Sequence, residues 1–190
     1  MEQLKERIRQ DGTAVGTEIL KVDSFLNHQL DVVLLNEIGR EFARRFSGEK
    51  VTKLLTIEAS GIAVACMAAP WFGNVPVVFA KKTAPNTMTE EYYGAEVTSF
   101  TKGTVSVARI ARKYLSAEDR VLILDDFMAH GEAAFGLVRL VEQAGGTVVG
   151  IGAVIEKQFQ GGSSRLRQAG YWVESLAVVK RICDGIIEFA

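Results

Sequence analysis

Cysteine and proline are scarce in this chain: two cysteines, Cys66 and Cys183, and three prolines occur among 190 residues. A lone cysteine pair is no disulfide framework, so two buried free thiols in a reducing compartment are expected. Proline-rich linkers are excluded, and the 18 glycines point to tight turns instead. Neither sign of charge dominates: 22 Lys and Arg stand against 23 Asp and Glu, a net charge of −1. A duplex nucleic-acid binder gains affinity from counterion release at a basic surface, and none is suggested here. No apolar run approaches the ~20 residues of a membrane-spanning helix. The opening segment, Met1-Glu2-Gln3-Leu4-Lys5-Glu6-Arg7, is amphipathic and charged, unlike a secretory leader. A cytoplasmic protein that binds neither nucleic acid nor membrane is the expectation.

What is present is a core-forming composition, 48% hydrophobic and 24% charged. The length suits a single domain over 1–190, able to bury roughly 70% of its unfolded surface without staples. Leu4 and Ile8 share a helical face that should end near Gly12, and Ile19 to Val22 reads as extended. Asp31 is placed to cap a helix whose apolar face is Leu35, Ile38, Phe42 and Phe46. Val51 to Ile57, Val75 to Ala80, Val121 to Leu124, Thr147 to Ile155 and Tyr171 to Val179 read as buried strands. Helices are expected over Ile62 to Ala69, Glu132 to Ala144 and Ser163 to Ala169. Lys81 to Gly94 reads as a long polar loop, and Glu96–Phe100 with Thr104–Ile110 as a hairpin. Trp71 and Trp172 read as packing residues. Apolar strands alternating with helices imply an α/β fold, a mainly parallel sheet flanked by helices.

In such sheets ligands bind beyond the carboxyl ends of the strands. Three strand ends carry polar residues: Glu58-Ala59-Ser60-Gly61, Asp125 onward, and Glu156-Lys157. The second is the most informative. Two adjacent carboxylates, Asp125 and Asp126, precede Ala129-His130-Gly131-Glu132-Ala133, where small residues let backbone N–H groups turn inward before a helix N-terminus. That is a nest for one phosphate. Two acids beside an anion make sense if vicinal ribose hydroxyls lie between them, so a ribose 5-phosphate fits. The Gly-Lys-Ser/Thr of a P-loop and a three-glycine dinucleotide fingerprint are both missing.

Strand, paired acids and small-residue loop together resemble the signature of the type I phosphoribosyltransferases, and the resemblance extends over nearly the whole chain. Within that family, Lys21-Val22-Asp23-Ser24-Phe25-Leu26-Asn27-His28-Gln29 and Val154-Ile155-Glu156-Lys157 are similar to the bacterial purine enzymes that take xanthine. The resemblance implies the family fold, with a small hood lobe from about residues 1–30 and the C-terminal part, and a flexible lid loop. It implies transfer of a purine onto phosphoribosyl pyrophosphate (PRPP) in purine salvage, in a homodimer, with Mg²⁺ as a PRPP-bound ion. Ala129 to Ala133 would cradle the 5-phosphate and Asp125 and Asp126 the ribose hydroxyls. Ser60 and Gly61 would approach the pyrophosphate, at a loop that often holds a non-proline cis peptide in the family. Lys81 and Lys82 match its basic residues near the pyrophosphate, and the segment to Tyr93 matches the lid.

Xanthine carries oxo groups at C2 and C6, so its site needs donors at both edges. Lys157 is expected to meet the 6-oxo group, the Asn27 amide NH₂ the 2-oxo group, and Leu20 to close the apolar face, with the product xanthosine 5'-monophosphate. Many relatives have Thr-Gly-x-Thr where this chain has His130-Gly131-Glu132-Ala133. Ala129 stands where hypoxanthine-guanine enzymes place an Asp, so no general acid or base is assigned and no metal ligand is proposed. An adenine or guanine/hypoxanthine transferase, a non-catalytic PRPP-binding regulator and a phospho-receiver domain share parts of the same pattern.

Overall fold

The structure, a computed structural model, describes residues 1–82, 91–99 and 103–190. Helix α1 (Glu2–Asp11) buries Leu4 and Ile8 and gives way to Gly12, as the periodicity predicts. Strands β1 (Thr13–Val15) and β2 (Ile19–Lys21) form a small antiparallel ribbon that pairs Ala14 with Leu20. A single π-helical turn, Asp23–Asn27, buries Phe25 and Leu26. Phe25 is therefore a core residue. Helix α2 (Val32–Arg45) follows, and the Asp31 carboxylate accepts from the Leu34 N–H at 3.0 Å, the expected cap.

The central layer then builds up from β3 (Lys53–Ile57), α3 (Ser60–Ala68), β4 (Val77–Ala80), the hairpin β5 (Tyr92–Ser99) and β6 (Thr104–Ala111), β7 (Arg120–Met128), α4 (Glu132–Gln143), β8 (Thr147–Lys157), α5 (Gly162–Gln168), β9 (Val173–Cys183) and β10 (Ile186–Phe189). The six-stranded sheet runs β10-β9-β8-β7-β3-β4, parallel except for β10. One face carries α1, α2 and α3 through a core that includes Leu4, Ile38, Phe42, Leu54 and Val64. The opposite face carries α4 and the β5–β6 hairpin through Val97, Ile110, Ile123, Leu137 and Val141. Burial on both faces explains why the parallel strands are near-continuous apolar runs. Among the described residues no helix is long and apolar enough to cross a membrane.

Several expectations need correction. β7 does not end before the carboxylates: it continues through Asp125 and Asp126 to Met128, because β8 pairs with it as far as Met128↔Glu156. β8 likewise includes Glu156 and Lys157. Tyr92 to Gly94 belong to β5 rather than to a loop, held by pairing with Arg109, Ile110 and Ala111. Residues 83–90, the middle of the expected lid, and 100–102, the expected hairpin turn, lie outside the described residues. The strand expected over Tyr171–Val179 runs to Cys183 and turns back as β10. Asp184 (φ 49°) and Gly185 (φ 77°) make the two-residue turn, the Asp-Gly hairpin signal that sequence reasoning passed over. Both cysteines are exposed, not buried: Cys66 lies on the outer side of α3, and Cys183 at the tip of the β9–β10 hairpin. Trp172 does pack, its ring centroid 4.7 Å from that of buried Phe46, but it and Trp71 remain 41% and 43% exposed, their indole N–H groups donating to Glu174 and Asn36.

Candidate active site

Four sheet-end segments converge. The first is the Glu58–Ala59 junction, a non-proline cis peptide, located where the family resemblance implied one. The Glu58 carboxylate accepts from the Lys82 N–H at 2.5 Å, and the Lys81 backbone bridges to Arg109 in both directions at 2.9 and 3.0 Å. Ser60 and Gly61 open α3 directly after the cis bond. Gly61 lies so close to β3 and β7 that a β-carbon there would sit 2.0 Å from Thr56 Oγ1 and 2.9 Å from Asp125 Oδ1. Only glycine lets α3 start this near the carboxylates.

The second segment is the acidic pair. The two carboxylates stay side by side at the start of α3: Asp125 Oδ1 lies against Gly61, and Asp126 shares the Asn27 amide with the neighbouring Ser60. Asp125 is buried, and its Oδ1 accepts from the Asp126 N–H at 3.0 Å. Burial raises its pKa well above the usual carboxylate range, the neighbouring Asp126 charge raises it further, and the Lys82 ammonium acts weakly the other way. Asp126 is only partly buried and reaches a residue from another part of the chain: the Asn27 amide donates to Asp126 Oδ2 and, at 3.2 Å, to Ser60 Oγ. An ionised carboxylate can only accept, so the NH₂ side of Asn27 is fixed and its Oδ1 is left buried with no hydrogen-bond partner.

The third segment is the loop Ala129–Ala133, which enters α4 through Gly131 in the left-handed region (φ 85°). The first amides of a helix have no intrahelical acceptor and carry the positive end of its dipole. The loop is backed by residues that sequence reasoning left out. The Gly162 N–H donates to Ala129 O at 3.0 Å, and Arg165 Nη1 donates to His130 O and Glu132 Oε1, each at 2.8 Å. No local motif announces these contacts, because they join α5 to a loop more than 30 positions earlier.

The fourth segment is the end of β8. Lys157 Nζ donates to Glu18 O at 2.7 Å and lies 5.4 Å from the Phe127 ring centroid. Burial lowers its ammonium pKa, with Glu18 opposing. Glu156, beside it, is buried; it accepts from the Ser163 hydroxyl and pairs with Arg167 at 3.8 Å. Leu20 is buried in the core on the ribbon side. The structure thus joins Asn27, Ser60 and Asp126 directly and brings the 129–133 loop to the end of the same strand, β7. It ties Lys157 to the β1–β2 turn rather than to these three. Among the described residues no three His, Cys, Asp or Glu side chains gather as a metal cage.

Chemically, sheet ends that bring together a loop of helix-N-terminal amides, two adjacent carboxylates and a half-buried ammonium suit a phosphorylated sugar and a polar heterocycle. Comparison with known proteins gives the same reading. No protein-family model matches the chain. A curated relative named xanthine phosphoribosyltransferase, from Clostridium novyi (strain NT), is 55% identical over 189 residues, covering 100% of this chain and 99% of its own length. Another of that name, from Moorella thermoacetica, is 56% identical and covers 100% and 96%. The crystal structure of an adenine phosphoribosyltransferase from Rhodothermus marinus superposes with a TM-score of 0.74 over 94% of this chain and 100% of that one. At 24% identity that likeness shows the fold alone.

Proposed function

The chain belongs to the xanthine phosphoribosyltransferase family and has the type I phosphoribosyltransferase fold, and from this premise we propose that it joins xanthine to PRPP in purine salvage, giving xanthosine 5'-monophosphate and pyrophosphate. The observation that carries the residue-level reading is the link from Asn27 to both Asp126 and Ser60. It draws the expected base, ribose and pyrophosphate sides of the cleft into one cluster.

In this reaction the base nitrogen N9 bonds to ribose C1, the C1–O bond to pyrophosphate breaks, pyrophosphate leaves with the electron pair, and the imidazole-ring proton of the base passes to pyrophosphate or solvent. The sugar gains oxocarbenium character while negative charge collects on the leaving oxygens. Groups already aimed at that charge lower the barrier most. Ser60, the Gly61 backbone, Lys81 and Lys82 are placed for the pyrophosphate side. Asp125 and Asp126 take the ribose hydroxyls, with Asp125 disposed by burial to keep a proton. Ala129, His130, Gly131, Glu132 and Ala133 hold the 5-phosphate mainly through backbone amides. A Mg²⁺ ion carried by PRPP would offset the negative charge developing on the leaving pyrophosphate beside Lys81 and Lys82, and its preference for oxygen ligands and retained waters would suit that group.

For the base, Lys157 donates to the 6-oxo group after exchanging its Glu18 contact, and Leu20 bounds the apolar side. The Asn27 NH₂ expected to meet the 2-oxo group is already engaged with Asp126 and Ser60. The free group is its Oδ1 acceptor, and it takes the N3–H of xanthine. Guanine, hypoxanthine and adenine carry a bare N3 there, which would set a lone pair against a lone pair; a mismatched buried polar contact discriminates strongly. We further propose one domain over 1–190, with the ribbon and α1 region as hood joined to the C-terminus through the 2.7 Å Lys5–Ala190 contact. A cytoplasmic homodimer completes the reading, supported by the exposed apolar Val32 (59%) and Val33 (74%) on α2. Incubation with xanthine, PRPP and Mg²⁺ tests it: equimolar nucleotide and pyrophosphate are expected, and PRPP binding without turnover of any purine would favour the regulator reading instead.

A further inference from the structure

The loop proposed to hold the 5-phosphate contains a group that should repel it. Glu132 sits inside it, at the first position of α4, and is only partly exposed. A carboxylate so placed opposes a dianionic phosphate at close range. A second obstacle is the His130 carbonyl, since any loop carbonyl turned inward would present another negative dipole. Both are met by one side chain. Arg165 Nη1 donates to His130 O and to Glu132 Oε1, each at 2.8 Å, and the guanidinium lies 5.1 Å from the Phe135 ring centroid one turn into α4. The same segment fixes the loop backbone through the 3.0 Å bond from Gly162 N–H to Ala129 O. The approach at Gly162 is close: a β-carbon there would stand 2.5 Å from both Ala129 O and Gly131 N.

Building on the phosphoribosyltransferase reading, we propose that Arg165 is a positioning residue for the 5-phosphate: it holds the His130 carbonyl out of the nest and cancels the Glu132 charge, so that the loop presents amides to the anion. Gly162 provides the contact distance that lets α5 do this. Arg165 touches no substrate in this arrangement. Because its side chain is 52% exposed, the ion pair contributes little to folding, so its loss should be read in binding rather than in stability.

The test uses the full-length enzyme with Arg165→Gln, Arg165→Lys, Glu132→Gln and the Arg165→Gln/Glu132→Gln double variant. KM for PRPP is expected to rise roughly tenfold or more in Arg165→Gln, the size of one lost charge-assisted contact, with KM for xanthine unchanged. Ribose 5-phosphate should lose its competition against PRPP by a similar factor, while pyrophosphate should keep its own. The double variant should recover several-fold over Arg165→Gln, because the charge that needed cancelling is gone, and Arg165→Lys should fall between. Equal KM for PRPP in wild type and Arg165→Gln overturns the proposal, as does no recovery in the double variant. An equal loss of ribose 5-phosphate and pyrophosphate competition also overturns it. If the wild type neither binds PRPP nor turns it over, the phosphoribosyltransferase reading itself fails, which is a separate result.

Discussion

The Asn27 side-chain amide donates to the Asp126 carboxylate across a sequence separation of 99 residues. That bond closes the cleft between the π-helical turn after the ribbon and the end of β7. It makes the amide orientation of Asn27 a consequence of Asp126, and it leaves Oδ1 buried with an unmet hydrogen bond. In the proposed reading, specificity for the base and binding of the sugar share this residue.

Asn27→Ala should lower kcat/KM for xanthine about tenfold to a hundredfold, the range for loss of a hydrogen bond linked to a charged partner. A sharper probe is 3-methylxanthine, which keeps both oxo groups but has no N3–H. It is expected to fail as a substrate for the wild type, in an assay following pyrophosphate release. Turnover comparable to xanthine would remove Oδ1 from the account.

Gly61→Ala pushes a methyl group into Thr56 Oγ1 and Asp125 Oδ1. Thr56 and Asp125 are both buried, so a destabilisation of about 1–3 kcal/mol is expected from overpacking. Thermal unfolding measures it, and kcat/KM for PRPP should fall with it. An unchanged midpoint would mean that α3 shifts freely against β7.

Asp125 has a pKa raised in the folded protein by burial and by Asp126. The native state then holds a proton that the unfolded chain releases near pH 4, so this group's contribution to stability falls as pH rises from there. In Asp125→Asn that fall disappears, while Oδ1 still accepts from the Asp126 N–H. Urea midpoints of the two proteins should coincide in acid and separate toward neutral pH, with the variant the more stable. A constant difference at every pH would contradict the shift.

Lys157→Ala should raise KM for xanthine far more than KM for PRPP. Because burial lowers the ammonium's pKa, wild-type kcat/KM for xanthine should decline on the alkaline side at a pH below that of an ordinary lysine. The Arg variant, which stays charged, should lack that decline. Parallel pH profiles of wild type and Lys157→Arg would argue against the 6-oxo contact.

How much of this was legible in the residues depends on distance along the chain. Local chemistry was readable: the Asp31 cap, the Leu35–Phe46 helical face, and the carboxylate pair followed by a small-residue loop all turned out where spacing placed them. Strand ends were read too short, since apolar runs stop at Asp125 and Glu156 while the backbone ladder continues to Met128 and Lys157. Burial of an acid in a strand is a tertiary effect that no alternation pattern announces. The cysteines were misjudged for the same reason: apolar neighbours in sequence put Cys66 beside the core, but its own position on α3 points outward. Long-range pairs were invisible altogether, among them Asn27 with Asp126 and Arg165 with the His130–Glu132 loop, because each needs the sheet order before its partner exists.

Competition among xanthine, guanine, hypoxanthine and adenine at equal concentration, with PRPP and Mg²⁺ and the nucleotides separated after short incubation, measures base preference at the proposed site. Xanthosine 5'-monophosphate is expected as the dominant product, with the preference reduced by Asn27→Ala and Lys157→Ala. A faster yield of guanosine, inosine or adenosine monophosphate would contradict it.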